Sequence, residues 1–116
     1  MTDAVTTSLE AGVLTISFAR PEKKNAITDA MYKVVADALE DAGSNDQVRV
    51  VLFRGEGDSF SAGNDINDFV AIAMGGGGGM NVFRVLKALA HFDKPVVAAV
   101  KGAASITHLT GGTRQP

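Results

Sequence analysis

The chain has no cysteine, so it carries neither a disulfide framework nor a thiolate metal site. No stretch approaches the ~20 apolar residues needed to span a bilayer. The N-terminus, with Asp3 and Glu10, lacks the apolar core of a signal peptide, and a membrane is not expected as a partner. Basic charge is scarce too: the formal net charge is -2, which leaves no electrostatic footprint for nucleic acid. A reducing cytoplasm is compatible with the missing cysteines and is the expected location. What remains is a chain of 116 residues with 46% hydrophobic and 21% charged side chains. That balance reads as one soluble globular domain. A domain of this size buries roughly two-thirds of its unfolded surface, enough for a core.

Residues 5–9 and 13–18 read as two strands joined by Glu10-Ala11-Gly12. In the second, Leu14, Ile16 and Phe18 alternate with Thr15 and Ser17, the period of a half-buried strand. The short glycine-containing link favours a hairpin. After Pro21, Glu22-Lys23-Lys24-Asn25 reads as a polar surface loop, or more sharply as a basic rim beside an anion. Thr28 then caps a helix whose apolar positions Met31, Val34, Val35, Ala38, Leu39 and Ala42 share one face, with Gly43 as its stop. Residues 48–53 are short, β-branched and almost wholly apolar, as in a strand covered on both faces. A helix between two strands is the usual crossover of a parallel pair. A second helix is expected over 80–92, with Val82, Val85, Leu86 and Leu89 on one face. A second buried-type strand follows over 96–100.

The most informative stretch is Phe60-Ser61-Ala62-Gly63-Asn64-Asp65. It joins the 48–53 strand to a helix-like segment over 66–74, with Asp65 as a fitting N-cap. A strand, a glycine turn and a helix start together make a backbone anion site, or merely a capped turn. The 96–100 strand also ends in a small-residue turn, at Gly102. Ligands of open α/β sheets gather beyond the carboxyl ends of strands. Two N–H groups from two such turns suit an oxyanion hole for a carbonyl that develops negative charge. The five glycines 75–79 lack the Gly-Lys-Ser/Thr of a phosphate loop and read as a linker or flap. Ser61 lacks the elbow motif of a serine hydrolase. His91 and His108 have no sequence-evident partner and read as structural or surface residues, not as a metal site.

These pieces resemble, in order and rough spacing over residues 5–104, the N-terminal part of the crotonase, or enoyl-CoA hydratase/isomerase, superfamily. The matching segments are Val13-Leu14-Thr15-Ile16, Arg20-Pro21-Glu22-Lys23-Lys24-Asn25-Ala26, Val48-Arg49-Val50-Val51-Leu52, the central Phe60 to Asp65 motif, and Lys94-Pro95-Val96-Val97-Ala98-Ala99-Val100-Lys101-Gly102. The central motif looks most like the Δ3,Δ2-enoyl-CoA isomerase branch. The resemblance implies an α/β fold of crotonase-like ββα repeats, with a mostly parallel sheet flanked by helices and incomplete at its C-terminus. It implies a division into residues 1–104, the crotonase-like part, and a divergent tail, 105–116. It also implies an acyl-CoA thioester as ligand, coenzyme A being part of the substrate and no separate cofactor being needed. By that match the Ala62 N–H is one oxyanion donor. Glu22, Lys23, Lys24, Ala26, Gly63, Asn64, Asp65 and Ile66 line the CoA channel. A homotrimer or hexamer is implied for a full-length form.

The tail departs from the family. Thr107 falls where the second oxyanion glycine is expected, and its β-branched side chain constrains that N–H. Thr110 stands where hydratases place one catalytic glutamate, and the position of the other lies beyond Pro116. Hydration and isomerisation need a carboxylate at the acyl carbons, and none here matches one. Two expectations result. One is an acyl-CoA enzyme of hydratase or isomerase type, this chain lacking its catalytic carboxylate. The other is a non-catalytic CoA-binding or protein-interaction module.

Overall fold

A five-stranded sheet, in the order β1-β2-β3-β4-β5, forms the frame on which the site is built. The computed structural model describes residues 4–72, 74, 81–100 and 105–109. The elements in chain order are β1 (Val5–Glu10), β2 (Val13–Phe18), a 3-10 turn (Pro21–Lys23), α1 (Asp29–Ser44), β3 (Val50–Gly55), α2 (Ile66–Ala71), α3 (Asn81–Ala90), β4 (Val96–Val100) and β5 (Ser105–Leu109). The glycine run 75–79 and the turn 101–104 lie outside the described residues.

The hairpin forms as its sequence dictates. Ala11 and Gly12 both take positive φ, 53° and 84°, the two-residue turn whose twist suits antiparallel strands. The Gly12 carbonyl then accepts from the N–H groups of Arg49 and Val50, at 2.7 and 3.2 Å, which seats β3 beside β2. The β2–β3 pair is parallel from Val13↔Val50 to Phe18↔Gly55, with α1 in the crossover. The β3–β4 pair is parallel as well. The two outer pairs are antiparallel, β5 lying along β4 from Val100↔Ser105 to Val96↔Leu109. The sheet is therefore mixed, and a parallel arrangement holds only for its three inner strands. The outer strands join their neighbours through short connections, which cannot carry a parallel crossover.

The Thr28 hydroxyl accepts from the Met31 N–H at 3.2 Å and starts α1 as expected. The helix passes Gly43 and ends at Ser44. Its stop comes from elsewhere: the Lys94 ammonium donates to the carbonyls of Ala42 and Asn45, at 2.7 and 2.8 Å. A cation on the last carbonyls satisfies orphan acceptors and the negative end of the dipole. The buried face of α1 is Met31, Val35, Ala36, Leu39 and Ala42. It is rotated from the expected one: Val34 is 41% exposed while Ala36 is fully buried. In α3 only Val85 is fully inside, and Leu86 and Phe83 are more than half exposed. Arg84 fastens α3 to α1 by ion pairs with Asp37 and Glu40, both at 2.7 Å.

Phe18 stacks on Phe53 and meets Phe60 edge-on, with ring centroids 6.1 and 5.5 Å apart. These rings pin the loop after β3 to the end of the sheet. Gly55 makes that loop possible, since a Cβ there would fall 2.3 Å from the Phe60 carbonyl oxygen and 2.4 Å from that of Ser59. Gly63 has open space around its Cβ position but a φ of +92°. We therefore expect Gly55→Ala to destabilise by about 3 kcal/mol, the upper range for over-packing. Gly63→Ala should cost about 1–2 kcal/mol, from backbone strain alone. Urea unfolding of both variants checks the order; equal losses would show that the loop is not set by the contact at Gly55.

Candidate functional site

The Gly63 to Asp65 segment lies alongside the start of α1. The Ile27 N–H donates to the Gly63 carbonyl at 2.8 Å, and the Asp65 N–H donates to the Ile27 carbonyl at 2.9 Å. These two bonds make a parallel bridge between Ile27 and Asn64. In such a bridge the bracketed residue turns its own N–H and carbonyl to the opposite side. Asn64 therefore presents its N–H away from Ile27, and among the described residues that N–H has no acceptor. The Gly63 N–H is held by the Ser61 hydroxyl at 3.0 Å. The Ala62 N–H donates to the Lys24 carbonyl at 2.9 Å. This bears on the oxyanion role expected of Ala62: its N–H is already spent on closing the loop. The donor that the fold leaves open stands two residues later, at Asn64.

Asn25 is the residue that local pattern reading missed. Expected in a surface loop, it is fully buried, with a φ of +57°. Its side-chain oxygen accepts from the Arg20 N–H at 2.8 Å. Its amide donates to the carbonyls of Glu56 and Ser59, both at 2.8 Å. Its own carbonyl accepts from the Ser61 hydroxyl at 2.9 Å. One carboxamide thus ties the loop after β2 to the loop after β3. Ser61 is a tether in this arrangement, in keeping with its lack of a hydrolase motif.

Asp65 caps α2 as expected, one carboxylate oxygen accepting from the Asp68 N–H at 2.9 Å. Its other oxygen pairs with the Arg20 guanidinium at 2.7 Å, and that group also reaches the Ala26 carbonyl at 3.0 Å. The Asp68 N–H, then Arg20, hold the Asp65 carboxyl below the usual carboxylate range. Asp68 in turn accepts from the Asp29 N–H at 2.8 Å. Asp29 accepts from the backbone and side-chain amides of Asn81, at 3.1 and 3.0 Å. Carboxylates of one element thus cap the next, and the N-termini of α1, α2 and α3 converge near Asn64. The Tyr32 hydroxyl, from the second turn of α1, donates to the Asn64 side-chain oxygen.

Beside this segment runs an open apolar groove of about 370 Å³, lined by Phe18, Phe53, Phe60, Val85 and Leu89 and bordered by Ser61 and Gly63. Its size is at the small end of the range for ligand sites. Glu22 and Lys23 are exposed in the 3-10 turn, and Lys24 is exposed at its C-cap. Ala26 is half-buried, and Ile66 opens α2. Thr107 lies in β5 opposite Ala98, and His108 opposite Val97. A ring nitrogen of the exposed His91 bonds its own helix at the Lys87 carbonyl, 2.9 Å away. Among the described residues, no group of three or more His, Cys, Asp and Glu could hold a metal.

The comparisons with known proteins point to one family. The family model "Enoyl-CoA hydratase/isomerase" matches residues 8–112. "Enoyl-CoA delta isomerase 2" of Rattus norvegicus is 38% identical over 100 residues, covering 82% of this chain and 25% of the rat protein. "1,2-epoxyphenylacetyl-CoA isomerase" of Escherichia coli is 34% identical over 111 residues, covering 90% of this chain and 42% of that one. A solved enoyl-CoA hydratase/isomerase structure from Acinetobacter baumannii superposes with a TM-score of 0.78 at 40% identity, covering 88% of this chain and 43% of its own. The chain belongs to the enoyl-CoA hydratase/isomerase, or crotonase, family, and it spans less than half the length of these relatives.

Two outcomes follow from the site. Asn25→Ala leaves three half-buried backbone groups, the Arg20 N–H and the Glu56 and Ser59 carbonyls, without their partner. It should cost about 3 kcal/mol or more in urea unfolding, given ~1–3 kcal/mol for each such group when fully orphaned. A loss below 1 kcal/mol would mean that water replaces the carboxamide. For Asp65, a folded pKa below the unfolded value of about 3.9 means stability that is present above that value and lost as pH falls through the folded one. Asp65→Asn should therefore be less stable than the parent at pH 7, with the gap closing below about pH 4. A gap that stays constant with pH would rule the charge out.

Proposed function

We propose that this chain forms the thioester-carbonyl end of an acyl-CoA site, in an enzyme of hydratase or isomerase type. The observation that carries the reading is the Asn64 N–H. Its two neighbours are tethered to Ile27, its own donor faces the other way, and the preceding residue, Gly63, borders the apolar groove. A thioester carbonyl is a neutral acceptor that gains negative charge as an enolate forms, which is what a fixed backbone donor favours. The groove suits an acyl chain, and the ammonium groups of Lys23 and Lys24 suit phosphates at a solvated rim. Family membership and the CoA-thioester names of the relatives support the same substrate class.

A binding role without turnover has one observation in its favour. The carboxylates beside Asn64 are committed: Asp65 to Arg20 and the α2 cap, Asp68 to the Asp29 N–H. Hydration or isomerisation needs a carboxylate free to move a proton at the acyl carbons. We read the described residues as the carbonyl-holding part of the machinery and assign no general base among them.

Calorimetry with butyryl-CoA and with free CoA tests the assignment. An exposed N–H exchanges water for the carbonyl, so the acyl thioester should bind about three- to tenfold more tightly than CoA, the yield of one net hydrogen bond. Asn64→Pro, which deletes the donor, should remove the hydrogen-bond share of that preference, leaving only what the acyl chain gains in the groove, in a protein that still folds by circular dichroism. Ala62→Pro should cost stability instead. A preference lost with Ala62 and kept with Asn64→Pro would return the role to Ala62.

A further inference from the structure

Asn64 puts a risk next to its own donor. An asparagine carboxamide readily bonds its own or neighbouring backbone, which is why the residue is common in turns. Left loose, the side-chain oxygen of Asn64 would fold back towards the exposed N–H and compete with any ligand carbonyl. The structure holds that oxygen elsewhere, on the Tyr32 hydroxyl. Tyr32 is itself fixed in α1, its N–H bonded to the Thr28 carbonyl at 3.0 Å. It lines both the apolar groove and a hollow of about 20 Å³, about the room of one water, which it shares with Asn64, Asp29, Asp65 and Asp68. Partial burial raises the phenol above its ordinary range, so it stays an O–H donor at neutral pH.

We propose that Tyr32 is a positioning residue, whose hydroxyl holds the Asn64 carboxamide clear of the backbone N–H and so keeps that donor open for a thioester carbonyl. The role rests on the assignment of Asn64 as the carbonyl donor. The hydroxyl acts through Asn64; the ring of Tyr32 also lines the apolar groove, and the double-mutant cycle separates the two contributions. The consequence of the role is selective, because it acts on the carbonyl and leaves the nucleotide part of CoA untouched.

Two measurements on the full chain test it. The first needs no ligand. In ¹H–¹⁵N correlation spectra, Tyr32→Phe should shift the backbone amide and the side-chain NH₂ of Asn64 and slow hydrogen exchange at that amide, as the carboxamide folds onto it. An Asn64 amide that keeps its shift and its exchange rate in Tyr32→Phe overturns the proposal outright. The second is a double-mutant cycle read by calorimetry with butyryl-CoA and CoA. Tyr32→Phe should reduce the preference for butyryl-CoA about three- to tenfold, the scale of one hydrogen bond, and leave CoA affinity alone. Against an Asn64→Ala background, where there is no carboxamide to restrain, the same change should have no effect. A penalty of equal size in both backgrounds, or an equal loss for free CoA, makes Tyr32 a general packing residue and overturns the role. If the parent chain binds butyryl-CoA and CoA alike, the carbonyl-site reading itself fails. That result is distinct from a failed cycle, because the Asn64 amide shift would still appear.

Discussion

The site depends on one buried carboxamide. Asn25 makes three hydrogen bonds through its side chain, to Arg20, Glu56 and Ser59, and a fourth through its carbonyl to Ser61. A buried polar group without partners is costly, and one whose every position is filled fixes its surroundings. The two loops it joins come from different strands, at the ends of β2 and β3. Once Asn25 is seated, Lys24 can accept from the Ala62 N–H and Ile27 can bracket Asn64. The exposed donor at Asn64 is therefore fixed by a residue that no ligand would touch.

The carboxylates around Asn64 are best understood as a set. Asp65, Asp68 and Asp29 each satisfy N–H groups at the start of a helix or of its neighbour. Three negative charges so close would repel one another if they were unpaired. Helix N-termini and the Arg20 guanidinium offset that repulsion. The same interlocking sets the relative positions of α1, α2 and α3 at the end where their positive dipoles meet. For Asp65 the Asp68 N–H and Arg20 also hold the carboxyl below its usual range, in its charged form.

How far the sequence could be read follows from where the information sits. The hairpin, the Thr28 cap, the Asp65 cap and the parallel β2–β3 crossover depend on neighbours in the chain, and all were legible. Asn25 was not, because a polar residue after two lysines looks solvated until its partners, 31 and 34 residues away, are known. The end of α1 was misjudged for the same reason: the stop comes from Lys94, 52 residues from Ala42. The choice between Ala62 and Asn64 turns on parity along an extended segment. Alternate N–H groups point to opposite sides, and only the bridge to Ile27 decides which side is which. The inward face of α1 differs from the expected one at Val34, which is exposed, and Ala36, which is buried. Family resemblance supplied the fold; it pointed to Ala62 as the donor, whose N–H the structure pairs with the Lys24 carbonyl.

A backbone donor gains strength from what surrounds it. Asn64 is an exposed residue, and its N–H has no acceptor among the described residues. Pairing a solvated donor of this kind with a carbonyl yields about 0.5–1.5 kcal/mol, an ordinary net hydrogen bond. The same donor in a closed, preorganised hole is worth about 2.7–4 kcal/mol in the transition state. The difference comes from excluding water, which raises the effect of each dipole and spares solvent reorganisation. The apolar groove beside Asn64 is open along its length, so the geometry described here aims the donor without isolating it. Aim and isolation are separable contributions in this fold. Asn25, Ile27 and Tyr32 supply the first. The second requires whatever covers the groove, and the covering surface must be apolar opposite Phe18, Phe53 and Phe60 if the donor is to reach the strength that catalysis demands.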